Sequence, residues 1–125
     1  MKANFKTAYP YAKDALNLPV KDVDAAIPYY ETTFGFAVVS RTDEPHKSVV
    51  LGRDAIRIGL AENGGDPNQE GCFFEVDDIE AAHQEILGQP KDRANLQVQK
   101  YGDTAFSVFF VIAPDGLCYC LGQRE

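Results

Sequence analysis

The sequence predicts an α+β domain built from two βαβββ modules, and three observations lead there. The heptapeptides Val20-Lys21-Asp22-Val23-Asp24-Ala25-Ala26 and Val76-Asp77-Asp78-Ile79-Glu80-Ala81-Ala82 share one pattern, Val-x-Asp-(Val/Ile)-(Asp/Glu)-Ala-Ala. A repeat of this kind constrains architecture before single residues are interpreted. Each copy follows an alternating, strand-like stretch and precedes helix-forming residues and three further strand candidates. Residues 61–70, rich in Gly, Asn, Asp and Pro, read as the linker between the halves.

In the first module, residues 15–20 alternate, with Leu16, Leu18 and Val20 on one face, and Pro19 suits an edge or short strand. Asp22 is a good N-cap, with Asp24 adding negative charge to the first turn, so a helix starts there. It is predicted to stop at Phe34-Gly35, where glycine accepts the left-handed conformation. Pro28 removes a single early hydrogen bond and predicts a slight kink. Strands follow at 37–41, 48–51 and 55–60. The second module repeats the plan: a strand at 72–76, then a capping-box start at Asp77-x-x-Glu80 and a helix to about Leu87, stopped by Gly88. Its remaining strands are 96–100, 105–112 and 117–121. One domain, 1–125, therefore contains modules at 15–60 and 71–122.

Composition narrows the function. With 125 residues the chain is one domain, able to bury roughly two thirds of its unfolded surface. Its 12 basic and 19 acidic side chains leave a net charge of −7, which disfavours nucleic acid and anionic membranes, whose binding is built from Lys and Arg. No apolar run approaches the ~20 residues of a membrane helix. Residues 1–14 intersperse Lys2, Lys6 and Lys13 with Phe5, Tyr9 and Tyr11 and hold no signal-peptide-like stretch. Three cysteines, Cys72, Cys118 and Cys120, cannot all pair within one chain, and the last two are close neighbours; a reducing cytoplasm is expected.

Three segments carry a family resemblance: Leu18 to Phe36 (LPVKDVDAAIPYYETTFGF), Phe73 to Ala82 (FFEVDDIEAA) and Ala113 to Leu121 (APDGLCYCL). Together they resemble the glyoxalase/bleomycin-resistance/extradiol-dioxygenase (vicinal oxygen chelate) superfamily over nearly the whole chain. The resemblance implies two modules whose mixed sheets curve into a cup, completed by a homodimer, with small molecules bound inside. Members include lyases, isomerases, dioxygenases, thiol transferases and proteins that only sequester an antibiotic, so fold alone does not choose among them.

Metal-dependent members of that superfamily place a His on each module's first strand and a carboxylate or related donor on each last strand. Carried over residue by residue, those four positions are Ala15, Gly71, Gly59 and Cys120. Only Cys120 has a donor atom, and divalent metals need several. His46 falls in a loop and His83 in the second helix, both read as surface residues. No metal ligand, cofactor or catalytic residue is therefore predicted. Cys118 and Cys120 share a strand face, and a nucleophilic role would require a nearby base that the sequence does not offer.

If those four positions mark the inside of the cup, period two adds Asn17, Arg57, Phe73, Glu75 and Cys118. Leu16, Leu18, Ile56, Ile58, Leu60, Phe74, Val76, Tyr119 and Leu121 then face the helices. Arg57 and Glu75 need either each other or a charged ligand, since a lone charge in a concave site is costly. By the resemblance, Tyr101-Gly102 precedes the last hairpin with an aromatic wall. The predicted ligand-binding set is Asn17, Arg57, Phe73, Glu75, Tyr101, Cys118 and Cys120. The expected function is metal-independent small-molecule binding in a cup at the module or dimer interface, and the acidic balance suits a cationic ligand. The alternative is a glyoxalase- or dioxygenase-type lyase or oxygenase with atypical metal ligands.

Overall fold

Aspartates start both helices. Asp22 and Asp78 lie in extended backbone and accept hydrogen bonds from the amides of Ala25 and Ala81, capping α1 (Val23–Thr32) and α2 (Ile79–Leu87). The second cap falls one residue later than the predicted capping box, because Glu80 is drawn away to accept from the amide of Arg93. α2 stops at Gly88, which adopts φ 70° as predicted. α1 carries Pro28 and ends at Thr32, ahead of the predicted stop.

The computed structural model describes residues 3–11, 14–68 and 71–125; Lys2, Lys13 and Glu70, the last in the predicted linker, lie outside them. The strands are β1 (Phe5–Pro10), β2 (Leu18–Pro19), β3 (Ala37–Thr42), β4 (Ser48–Arg53), β5 (Ile56–Ala61), β6 (Gly71–Val76), β7 (Gln97–Tyr101), β8 (Thr104–Ile112) and β9 (Cys118–Arg124). The first module forms a sheet in the order β2-β5-β4-β3 and the second repeats it as β6-β9-β8-β7. β2 runs parallel to β5 and β6 parallel to β9, while the other pairs are antiparallel. The α+β class with two mixed sheets is the one predicted.

Two elements differ from expectation. The predicted strand at 15–20 shrinks to the two residues of β2, because the Asp14 carboxylate and carbonyl accept from the amides of Leu16 and Asn17 and close a turn. Leu16 is left 54% exposed instead of packing under a helix. Conversely, residues 5–10 form an unpredicted strand: β1 adds antiparallel to β6 and widens the second sheet to five strands.

One core serves both modules. The other predicted helix-facing residues, Leu18, Ile56, Ile58, Leu60, Phe74, Val76, Tyr119 and Leu121, are all buried in it. Phe5 from β1 joins an aromatic group with Phe34, Phe36 and Phe74, and Phe74 stacks on Tyr119 at 5.2 Å and 13°. Tyr30 of α1 crosses to the second module, its hydroxyl 2.8 Å from that of Tyr119 and donating to Asp115 at 2.8 Å. Such hydroxyls must be paired when buried, and these are.

The corresponding link from the first module to α2 is ionic. Arg53, at the end of β4, is buried and uses all five guanidinium donors: Nε on Asp54, Nη1 on the Phe34 carbonyl and Glu85, Nη2 on the Ala3 carbonyl and Glu85. Its carbon Cζ also lies 4.2 Å from the centroid of the Phe5 ring. Glu85→Gln should cost about 1–3 kcal/mol in urea denaturation, because it removes one of the two carboxylates paired with buried Arg53 and leaves Asp54, while R53M/E85L should recover only part of the loss, since the Phe34 and Ala3 carbonyls lose their donor. Near-zero cost for the single substitution would show that the pair does not hold the modules together.

Candidate functional site

The face of the second sheet opposite the helices carries its own apolar cluster, Phe73, Phe106, Val108 and Cys120. Strand register explains why these four meet. Phe73 pairs with Cys120 across β6 and β9, and Val108 faces Gly122 across β8 and β9, so their side chains share one face. Gly122 leaves room for the Phe73 ring, since a Cβ there would come within 2.7 Å of Phe73 Cζ.

Aromatic rings converge on this floor. Phe73 lies 5.0 Å from Phe106 and 5.1 Å from Tyr101, centroid to centroid, and Tyr9 of β1 lies 6.1 Å from Phe73. With Thr104 and Arg124 they line a cavity of about 330 Å³. At its side, Arg124 Nε donates to Glu75 Oε2 at 2.7 Å, and Lys6 Nζ stands 3.9 Å from the same oxygen. The Glu75 carboxylate beside Arg124 holds its guanidinium charged, raising its pKa.

Of the predicted ligand-binding residues, the fold brings Phe73 and Tyr101 to the cavity and sets Glu75 and Cys120 in its floor and edge. It does not bring Asn17 or Arg57 there. Asn17 accepts two hydrogen bonds from Asn63 Nδ2 at the end of the first sheet. Arg57 donates to its neighbour's carbonyl, Ile56 O, and covers Gly52. The alternative of an Arg57–Glu75 salt bridge is thus not realised: the two belong to different sheets, and Arg124 satisfies Glu75. Cys118 is half-buried beside Gly71.

Tyr9, Thr104, Phe106 and Arg124 were not anticipated. Arg124 was discoverable, because period two from Cys118 through Cys120 and Gly122 puts residue 124 on the same face; the strand simply runs three residues past its predicted end. Tyr9 depended on β1, which carries no repeat signature.

The four carried-over metal positions have a steric reading. A Cβ at Gly59 would lie 2.2 Å from the carbonyl oxygen of Leu16, and one at Gly71, where φ is 133°, would lie 1.8 Å from that of Cys118. Backbone occupies the space a ligating side chain would need. Among the described residues, no three His, Cys, Asp or Glu side chains gather as a metal-binding group. His83, predicted on the surface, is instead buried, its Nδ1 2.7 Å from Gln89 O and its ring edge-on to Phe109 at 5.0 Å.

A larger cavity, about 380 Å³, lies between the start of α1, residues 66–68 and the Pro114-Asp115 turn. Two of its carboxylates are committed elsewhere: Asp22 caps α1, and Asp115 accepts from Tyr30 and the amide of Leu117. The aromatic cavity, where the exposed rings of Tyr9 and Tyr101 stand over the nearly buried Phe73 and Phe106, is therefore the candidate site.

The family model described as Glyoxalase/Bleomycin resistance protein/Dioxygenase superfamily matches residues 13–116. The chain belongs to this superfamily. A comparison with curated protein sequences finds no match. Among solved structures, the superfamily fold is shared with the bleomycin-binding protein from bleomycin-producing Streptomyces verticillus, complexed with copper(II)-bleomycin, at TM-score 0.65 and 21% identity, covering 90% of this chain and 97% of that one. A virulence protein from Salmonella typhimurium matches at TM-score 0.64 and 22% identity, covering 90% and 96%. A bleomycin resistance determinant encoded on the transposon Tn5 matches at TM-score 0.61 and 22% identity, covering 90% and 98%. At these identities the likeness is one of superfamily fold.

The thiol beneath the rings is unreactive by environment. Burial pushes the Cys120 pKa up to about 11, with the Tyr101 hydroxyl, 3.8 Å away, pulling the other way. Cys120 is therefore a protonated, shielded thiol at neutral pH and a poor nucleophile. Iodoacetamide at pH 7.5 should label half-buried Cys118 before Cys120, with Cys120 requiring denaturant; peptide mass spectrometry showing early Cys120 labelling would contradict this.

Proposed function

We propose that the chain is a metal-independent binding protein that sequesters a flat, ring-bearing small molecule against Phe73, Tyr101, Phe106 and Tyr9. The observation that carries this reading is the convergence of those rings on one open cavity with a single charged side chain, Arg124, in its lining. Stacking on such a surface needs no bond-making residue, and each ring contact contributes about 0.5–1.5 kcal/mol beyond buried area. Support comes from proteins of the same fold that bind bleomycin and from an antibiotic-binding protein of Streptomyces sp. CB03234. The backbone filling Gly59 and Gly71 supports metal independence.

The chain has no tryptophan and six tyrosines, of which Tyr9 and Tyr101 line the cavity, so the part of the tyrosine emission that a ligand quenches reports on the site. Titration with planar polycyclic antibiotics should quench it saturably. Phe73→Ala and Tyr101→Ala should each weaken binding by roughly threefold to tenfold. Stoichiometric metal in the purified protein, with a matching gain in melting temperature on adding Ni, Zn, Fe or Mn, would instead favour the lyase or oxygenase reading.

The working form is a homodimer. Phe110 and Ile112 continue the same face past the cavity, 45% and 71% exposed, and one sheet walls only one side of a bound molecule. A second copy covering them would bury the apolar surface and close the site. Sedimentation at micromolar concentration should give twice the chain mass, and Ile112→Asp should halve it; a wild-type monomer would overturn the dimer. A reducing compartment such as the cytoplasm fits three cysteines that form no disulfide. No helix among the described residues is long and apolar enough to cross a membrane.

A further inference from the structure

We propose that the molecule held on this face carries a carboxylate beside its ring and that Arg124, backed by Lys6, receives it. This rests on the reading of the aromatic cavity as the ligand site and names the chemical class it selects. It also runs against the chain's overall charge of −7, which by itself suits a cation.

The local count of charges decides the sign. Glu75 is 4% exposed and needs a counter-charge. It has two: Arg124 at 2.7 Å and Lys6 at 3.9 Å. Among the described residues neither cation has another carboxylate within ion-pair range, so two positive charges share one negative one. Arg124 lines the cavity while its partner Glu75 sits below in the sheet, and Lys6 leaves the three-group cluster net positive, so the guanidinium is the charge the cavity meets. Lys6 reaches this point because the β1–β6 register shifts between Phe5 and Thr7.

Among the described residues no acidic side chain lines the cavity, so an ammonium or amidinium group would meet Arg124 with only the buried Glu75 behind it. A carboxylate would find a guanidinium already fixed by Glu75 and with Cζ 5.9 Å from the Phe106 centroid. The guanidinium thus lies over Phe106, and a ring stacked on the exposed Tyr9 of the same lining is next to the charge. Pre-fixed donors lose little freedom on binding, which favours a charge-assisted hydrogen bond. The Thr104 hydroxyl in the same lining can donate to the second carboxylate oxygen.

Three probes of one shape test this on the unmodified protein: 2-naphthoate, neutral 2-naphthamide and cationic 2-naphthamidine, titrated calorimetrically at pH 7.5 and low salt. Naphthoate should bind at least about tenfold more tightly than the amide, and the amidine more weakly than the amide. In Arg124→Gln, checked for folding by circular dichroism, naphthoate should fall to the level of the amide while the amide's affinity holds. Should that variant fail to fold, R124Q/E75Q, which leaves no buried unpaired carboxylate, must give the same loss. Equal binding of all three probes, weakened alike by Phe73→Ala, would overturn the anion assignment and leave the aromatic site standing. Tightest binding of the amidine would overturn it likewise. Absence of binding by any probe at millimolar concentration would overturn both.

Discussion

Arg53 is where the two modules, α2 and the N-terminal segment meet. Removing a guanidinium from water costs several kcal/mol even after relaxation, and only complete pairing offsets it. Here that pairing is drawn from four separate places: the Glu85 carboxylate of α2, the Phe34 carbonyl past α1, the Ala3 carbonyl ahead of β1, and Asp54 in its own hairpin. Because no donor is spare, none of those segments can shift without exposing a buried charge. Tyr30 makes the complementary crossing, from α1 to Asp115 and Tyr119 of the second module. The two crossings lock the helix sides of both sheets into one core and fix the second sheet's other face as the open one.

The repeat then diverged in what that other face carries. Strand order and helix capping are the same in both halves. In the first module the inner side of β5 is covered by the backbone of Leu16 over Gly59. In the second, β1 extends the sheet, contributing Tyr9, and Gly122 makes room for the Phe73 ring, which packs edge-on to Phe106 and tilted against Tyr101. The candidate site is thus a property of one half only. Its electrostatics are local as well: a basic pair around one buried carboxylate, within a chain whose surface is acidic.

Much of the fold could be read from the sequence because helix and strand periods leave clear signals. Asp22 announces the first helix and Asp77-x-x-Glu80 the second, to within one residue of its cap at Asp78, and the alternation through Ile56, Ile58 and Leu60 or Phe74 and Val76 separates core face from inner face. Cys120 and Tyr101 were placed on the inner face by the family resemblance, and period two from the positions it supplied added Phe73 and Glu75. Arg53 was also visible in principle, since period two from Val49 and Leu51 puts a charge on the core face, which demands a partner. Asn17 and Arg57 lie away from the aromatic cavity because a turn at Asp14 replaces the expected strand and because Glu75 pairs with Arg124.

By itself the sequence determined the two-module plan, the two helices with the first N-cap at Asp22, and, Leu16 apart, which strand residues face the helices, all of which follow from local periodicity and capping chemistry. It also determined that side chains suited to metal are missing at Ala15, Gly59 and Gly71. Only the tertiary structure decided that β1 joins the second sheet, that Arg53 is the buried clasp, and that Tyr9, Phe106 and Arg124 meet Phe73 at one cavity. Those contacts join residues far apart in the chain, as Glu75 and Arg124 are, and pairings at such separations depend on sheet register and topology that no local pattern encodes.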